Sequence, residues 1–529
     1  MEYNLADLWE RVVDTVPERE AFVCGDRRLT YAQADDRIDR LAHHLLDHGV
    51  GAGDRVALYL HNGTEYLEGM LAAFKIRAVP VNVNFRYVED ELAYLLTDAD
   101  ARAVISHREF APKLAAIRDR IPPALHLVVE DSSPGDASAA LADLGAVEYE
   151  AALAASRAGR DHAPRSADDL YILYTGGTTG MPKGVLWRNA DANVECFGGS
   201  RADTLAGIVA EATGGLKSLL APPFMHGAGH WVSFRTWNGG GTVYVQSVPE
   251  RLDPVDVWSL IERERLNFLL IVGDAFGRPL LDELDRNTYD LSCLTLMLSG
   301  GAPLSAGLKE EFLRHLPTMM VIDGLGSSEA GGQLSQVAAA GNATTGTFPI
   351  SPGNHVLSDD LSRELPAGDP EIGWLAKSGR LALGYLGDPA KTARTYPVVQ
   401  GTRYAIPGDR ARLRLDGLIE LHGRDSVTIN SGGEKIFAEE VEAAIKAHEG
   451  VYDCVVAGRP SERWGNEVVA IVRVREGYTV DEAALLAEAE RHIARYKLPK
   501  QIIFVSEVLR SPSGKADYRW AKALAAQSQ

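Results

Sequence analysis

At 529 residues the chain exceeds what one hydrophobic core usually supports, so two or more domains are expected. With 46% hydrophobic and 24% charged residues it has the balance of a globular protein, which excludes disordered and fibrous classes. The 54 Lys and Arg against 73 Asp and Glu leave a net charge of −19, a field that repels phosphate backbones and anionic headgroups, so neither nucleic acid nor a membrane surface is an expected partner.

In chain order, the opening residues carry no basic n-region, and nowhere do about 18 apolar residues run uninterrupted. A cytoplasmic location without integral membrane association is expected. Thr30 and Gln33 have capping-box spacing, Ile38, Leu41, Leu45 and Leu46 recur at helical spacing, and Gly49 is a stop signal. A strand at 55–59, a helix at 65–76 and an apolar run at 78–83 suggest a mainly parallel α/β sheet. The Ala/Asp/Ser-rich stretches 131–158 and 335–347 read as surface insertions. Apolar runs at 268–272, 294–298 and 318–322 each lead into a Gly-rich turn, and ligands favour such carboxyl ends of strands. After Arg424 the pattern restarts at smaller scale, with a helix at 438–448, strands at 454–457 and 468–474, and a helix at 481–496. About one hundred residues make a small α+β domain. Cys24, Cys196, Cys293 and Cys454 lack CxxC spacing and read as reduced core residues.

The most informative stretch is Tyr174-Thr175-Gly176-Gly177-Thr178-Thr179-Gly180-Met181-Pro182-Lys183-Gly184, directly after an apolar strand. Glycines let backbone amides approach anionic oxygens, threonine hydroxyls donate further bonds, and Lys183 supplies positive charge, so the loop suits phosphate. No Gly-Lys-Ser/Thr ends it and no Gly-x-Gly-x-x-Gly opens a helix, which removes support from kinase-like and dehydrogenase readings.

This stretch resembles the phosphate loop of the adenylate-forming (ANL) superfamily of acyl-CoA synthetases, luciferases and nonribosomal adenylation domains. Further segments match in the family's order: Pro223 to Gly227, Gly300-Gly301-Ala302-Pro303, Gly326-Ser327-Ser328-Glu329, Gly408-Asp409, Gly423-Arg424, Ser431-Gly432-Gly433-Glu434 and Ser513-Gly514-Lys515. The resemblance implies an α/β fold: a large N-terminal AMP-binding domain of α/β subdomains over 1–424, and a small mobile C-terminal α+β domain over 425–529.

By the same resemblance, Thr175, Gly176, Gly177, Thr178, Thr179, Gly180 and Lys183 hold phosphates, and Gly301, Ala302 and Pro303 pack the adenine. Asp323, Gly324, Leu325, Gly326, Ser327 and Ser328 line the nucleotide, with Leu325 where the family usually has an aromatic ring. Glu329 is the magnesium ligand, a hard oxygen of the kind that ion takes beside substrate phosphates. Asp409 accepts from the ribose hydroxyls and Arg424 contacts ribose or phosphate. Lys515 is the adenylation lysine, bridging carboxylate and α-phosphate. Thr175, His226, Glu329 and Lys515 make up the catalytic set.

Met225, His226, Trp231, Val272, Gly273 and Asp274 stand where the family lines its acyl pocket, and this mostly apolar set implies a hydrophobic acid. His226 and His230, four apart, invite a zinc site. It is set aside because the intervening glycines disfavour a helix and no glutamate completes His-Glu-x-x-His.

Relatives alternate between half-reactions, bringing Lys515 in for adenylation and the loop Ser431, Gly432, Gly433 and Glu434 in for thioester formation, about a hinge at Asp425 or Ser426. The segments 404–409, 430–437 and 511–520 are similar to those of bacterial fatty-acyl and steroid-side-chain CoA ligases. ATP, Mg2+ and coenzyme A are therefore the expected cofactors, with a carboxylic acid as substrate and a homodimer as the expected assembly. No carrier domain follows Gln529, which favours coenzyme A over a carrier protein. Other acceptors, an amine or nitrite activated for diazo formation, form the alternative enzyme reading. A catalytically dead nucleotide sensor is disfavoured by the presence of Lys515 and Glu329.

Overall fold

The first elements follow from local signals. The Thr30 hydroxyl accepts from the Gln33 amide at 3.2 Å, while the Gln33 side chain accepts from the Thr30 amide at 2.9 Å. This reciprocal cap starts the Tyr31–Asp47 helix, and Gly49 leaves it at φ 82°.

The computed structural model describes residues 2–131, 135–175, 181–198, 215–339, 341–431, 434–461 and 464–527. It divides into two units, Met1–Leu270 with Tyr289–Leu296 and Arg380–Arg394, and Ile271–Thr288 with Met297–Gly379 and Thr395–Gln529.

In the first unit, Arg55–Tyr59 pairs in parallel with Val79–Asn82 and with Ala101–His107. The parallel run continues through Leu125–Val129 to Val147–Glu148 on one side and to Leu170–Thr175 on the other. Lys183–Arg188 and Gly384–Tyr385 finish the sheet antiparallel. Every residue of Val79–Asn82 is buried, as expected for a parallel strand covered on both faces. Ala57, Tyr59, Val81, Leu95 and Leu114 anchor the core.

The stretch 131–158 departs from the expected surface insertion. Val147–Glu148 is an edge strand of this sheet, and Tyr149, 1% exposed, donates to Glu68 at 2.7 Å. Its alanine-rich wording hides a single aromatic anchor that only the folded neighbour reveals.

In the second unit, Met320–Ser327 and Gly331–Ala338 form an antiparallel hairpin, so residues 335–338 are strand rather than insertion. A five-stranded sheet runs in the order Thr347–Pro349, Leu418–Arg424, Asp409–Leu413, Gly373–Lys377, Asn354–Leu357. Residues beyond Arg424 build a further sheet in which Val451–Ser461 and Gly465–Val474 pair antiparallel and Gln501–Phe504 joins in parallel. Strand alternation sends Cys454 and Val456 towards the Ala438–Lys446 helix, and Val455 and Ala457 towards Ala521 and Ala525. The helix expected at 481–496 runs only over Glu482–Glu490.

None of the four cysteines is in a disulfide; Cys196 and Cys454 are buried, and Cys24 and Cys293 are partly exposed. Among the described residues no helix is long and apolar enough to cross a membrane.

Candidate active site

Residues Gly176, Gly177, Thr178, Thr179 and Gly180 lie outside the described residues, but the strands that carry their loop are on either side. Thr175 pairs with Lys183 at the end of the Leu170–Thr175 and Lys183–Arg188 hairpin. Lys183 Nζ lies 3.2 Å from Asp388, which holds its ammonium above the ordinary lysine range. Asn82, which motif reading passed over, clamps this hairpin. Its side chain accepts from the Tyr174 amide at 2.7 Å and donates to the carbonyls of Tyr174 and Met225 at 2.9 and 2.7 Å. A polar residue ending the fully buried run at 79–82 was the signal available in the sequence.

Met225 is buried, and His226 stands immediately before a helix over Gly227–Asn238. The glycines were expected to disfavour this helix. Gly229 is required instead by packing, since a Cβ there would lie 2.6 Å from the Pro223 carbonyl. His230 has one ring nitrogen 2.6 Å from the Phe224 carbonyl and the other on the Tyr171 hydroxyl, which also accepts from Trp231 Nε1 at 3.0 Å. Burial lowers the His230 pKa to about 4, so its imidazole is neutral. Among the described residues no group of three His, Cys, Asp or Glu side chains is arranged to hold a metal.

In the second unit the Gly301-Ala302-Pro303 turn abuts the start of the Gly273–Arg286 helix. The Asp274 amide donates to the Pro303 carbonyl at 3.1 Å, and the Gly273 amide donates to Ser299 Oγ at 3.0 Å. Gly273 has φ +55°, and a Cβ would lie 2.5 Å from the Pro303 carbonyl, so only glycine fits. Val272 is buried. Asp274 accepts from the Ser305 amide at 2.7 Å and from Lys446 Nζ at 2.8 Å. Burial alone raises a carboxyl's pKa, but Lys446 outweighs it and keeps Asp274 ionised.

Ser328 and Glu329 sit at the turn of the Met320–Ser327 and Gly331–Ala338 hairpin. Gly326 permits this turn, because a Cβ would come within 2.7 Å of the Gly331 carbonyl. Ser327 Oγ accepts from the Ala330 amide at 3.1 Å, and the Tyr396 hydroxyl donates to the Glu329 carbonyl at 3.2 Å. Lys377, another residue missed from sequence, donates to the carbonyls of Ala330 and Gly332. Glu329 is thereby presented, partly exposed, on a fixed backbone. Asp323 is buried against Lys309 at 2.6 Å, Gly324 lies beside Leu298 and the Ser299 carbonyl, and Leu325 packs on the core of the five-stranded sheet.

Asp409 and Arg424 are cross-strand neighbours, with Arg424 Nε 3.3 Å from Asp409 Oδ1. Asp409 raises the Arg424 pKa still further. Lys515 shares this environment. Crowding by surrounding atoms lowers its pKa, Arg424 lowers it too, and Glu329 and Asp409 pull the other way. Lys515 as a residue is exposed. It lies in the electrostatic field of the residues expected to hold magnesium, ribose and phosphate.

Arg424 also donates its backbone amide to Glu439 at 3.3 Å. Burial, then the charge of Glu442, raises the Glu439 pKa to about 8. The expected hinge residues Asp425 and Ser426 are exposed in a 3-10 turn over Asp425–Val427. Ser431 and Glu434 face each other across a strand pair, while Gly432 and Gly433 lie outside the described residues.

Residues 9–386 match the AMP-binding enzyme family, and residues 440–515 match the AMP-binding enzyme C-terminal domain. A medium-chain acyl-CoA ligase, Mig, of Mycobacterium avium is 48% identical over 97% of this chain and 96% of its own. A 3-oxocholest-4-en-26-oate–CoA ligase of Rhodococcus rhodochrous is 43% identical, covering 99% and 96%. The solved structure of ATP-bound MatB from Rhodopseudomonas palustris superposes with a TM-score of 0.82 at 26% identity, covering 99% of both chains. The chain belongs to the AMP-binding enzyme family, in its acyl-CoA synthetase branch.

Proposed function

We propose that this chain activates a hydrophobic carboxylic acid, of the fatty or steroid side-chain class, with ATP to an acyl-adenylate and passes the acyl group to coenzyme A, releasing pyrophosphate and AMP. The observation that carries the reading is the Asp409–Arg424 pair at 3.3 Å, with Lys515 in the electrostatic field of both and of Glu329. The relatives' substrates and the apolar Met225 and Val272 support the class of acid.

A carboxylate resists thiol attack because its oxide is a poor leaving group; the mixed anhydride with AMP replaces that oxide with a phosphate. Lys515, in the field of Arg424, neutralises charge between the attacking carboxylate and the α-phosphate. Asp409, held by Arg424, has its remaining acceptor capacity for ribose hydroxyls. Glu329 fits a magnesium site made of one carboxylate and substrate phosphate oxygens; when bound, the ion supplies charge neutralisation on the triphosphate. Residues 425–529 then turn about Asp425 and Ser426, withdrawing Lys515 and bringing the loop of Ser431, Gly432, Gly433 and Glu434 to the thioester step. We assign the protein to the cytoplasm and expect a homodimer.

The test is incubation with ATP, Mg2+, coenzyme A and a panel of fatty, aromatic and steroid side-chain acids, with AMP, pyrophosphate and thioester read by mass spectrometry. Thioester that falls roughly 100-fold or more in Lys515→Ala supports the reading. AMP without thioester moves the acceptor to a carrier protein, an amine or nitrite, and no AMP with any acid overturns adenylation. Activity of a dimer-sized species by gel filtration checks the assembly.

A further inference from the structure

The Gly273–Arg286 helix meets the residues beyond Arg424 at more than one point. Asp274 at its start pairs with Lys446 at 2.8 Å, across 172 positions of sequence. Asp282, two turns further along, lies in the field of Arg475. Gly514, the residue before Lys515, has φ +71°, and a Cβ on it would lie 3.1 Å from the Val272 carbonyl and 3.3 Å from the Ala275 methyl. The Lys515 turn is therefore seated on the first residues of that helix.

The same turn is stiffened from within. Arg510 donates to the Gly514 carbonyl at 3.0 Å and grips Asp453 with two bonds of 2.7 Å. The Lys515 amide donates to Ser511 Oγ at 3.2 Å, and the Ser511 amide donates to the Lys515 carbonyl at 2.8 Å. Lys446 and Lys515 both fall within the 440–515 match to the C-terminal domain, so on the two-step reading they turn together and what fixes Lys446 fixes Lys515.

We propose that the Asp274–Lys446 ion pair is a positioning contact that holds Lys515 at Glu329, Asp409 and Arg424 for adenylation and opens for the thioester step. The pair is partly buried, with side chains 11% and 16% exposed, so breaking one partner strands the other charge in a poorly solvated place. Asp274 keeps its bond to the Ser305 amide in either position, since both residues precede the turning segment. The pair therefore favours one arrangement of the small domain without taking part in chemistry.

This proposal rests on the two-step reading above, and its test separates the steps. Adenylation is read as ATP–pyrophosphate exchange with a fatty acid, and thioester formation as acyl-CoA produced from synthetic acyl-adenylate and coenzyme A. Lys446→Met is expected to lower exchange about tenfold or more while leaving thioester formation from acyl-adenylate unchanged. Lys446→Arg restores exchange. Asp274→Asn keeps an oxygen for the Ser305 amide and also lowers exchange; because Asp274 stands among the acyl-pocket residues, the unchanged thioester step is required of the Lys446 variants alone, with Lys446→Gln serving if Lys446→Met does not fold. The double variant is no worse than the more affected single one. Equal loss in both steps, or exchange at the wild-type rate in Lys446→Met, overturns the proposal. A wild-type enzyme lacking either step instead removes the two-step reading, and this proposal with it.

Discussion

Glu439→Gln tests the electrostatics of the joint between Arg424 and the small domain. One carboxyl oxygen of Glu439 accepts from the Arg424 amide, and the other, facing Gly423, is buried with no hydrogen-bond partner among the described residues. Glu442 and Asp409 add negative charge around it. Its pKa moves from an ordinary 4.5 to about 8, so the folded state holds this proton more tightly than the unfolded one. The stabilisation is fully present below pH 4.5 and is lost progressively as pH rises towards 8. Between pH 5.5 and 7.5 each unit is worth at most about 1.36 kcal/mol, or about 2.7 kcal/mol in all. The side chain keeps some contact with water, which reduces the expected loss to roughly 1–2 kcal/mol. Glutamine keeps the acceptor and cannot ionise. Thermal melts of both proteins across this range check the sign: the variant should gain on wild type by a few degrees as pH rises. The Glu442 carboxyl, pushed up to about 7 by its own burial, titrates in both proteins and largely cancels in the difference. A variant-minus-wild-type difference that stays constant from pH 5.5 to 7.5 would refute the reasoning.

Lys75→Met should be severely destabilising. Lys75 is fully buried between Asp35 at 2.7 Å and Asp39 at 2.5 Å, with Glu10 at 3.3 Å, and removing the cation leaves stranded carboxylates, a loss of roughly 3–5 kcal/mol by urea denaturation. Gly229→Ala should destabilise by about 1–3 kcal/mol through its collision with the Pro223 carbonyl. A melting temperature equal to wild type would show that the Gly227–Asn238 helix can shift to relieve it.

Elements defined by neighbouring residues were legible in the sequence. The Thr30–Gln33 cap depends on contacts three positions apart, and the strands at 55–59 and 268–272 announced themselves as short apolar runs of neighbouring residues. The order of motifs was enough to name the family and point to Lys515, Glu329 and Asp409. Glycines were read less well. At Gly229 helix propensity argued against the helix that forms, because propensity does not weigh the close approach of the chain to the Pro223 carbonyl just before the helix. Tyr149 was missed for a related reason: its partner, Glu68, is 81 positions away.

The sequence by itself determined which side chains carry charge and where the strongly patterned elements, such as the Tyr31–Asp47 helix and the Arg55–Tyr59 strand, begin. Only the tertiary structure decided what surrounds each charge. Asp274, assigned from its motif position to an acyl pocket, has its carboxylate on Lys446, and Glu439, an unremarked residue in a helix's first turn, lies half-buried against the Arg424 amide. The reason is that burial and Coulomb interactions depend on distance in space, and chain order does not encode that distance for residues more than a turn or a hairpin apart.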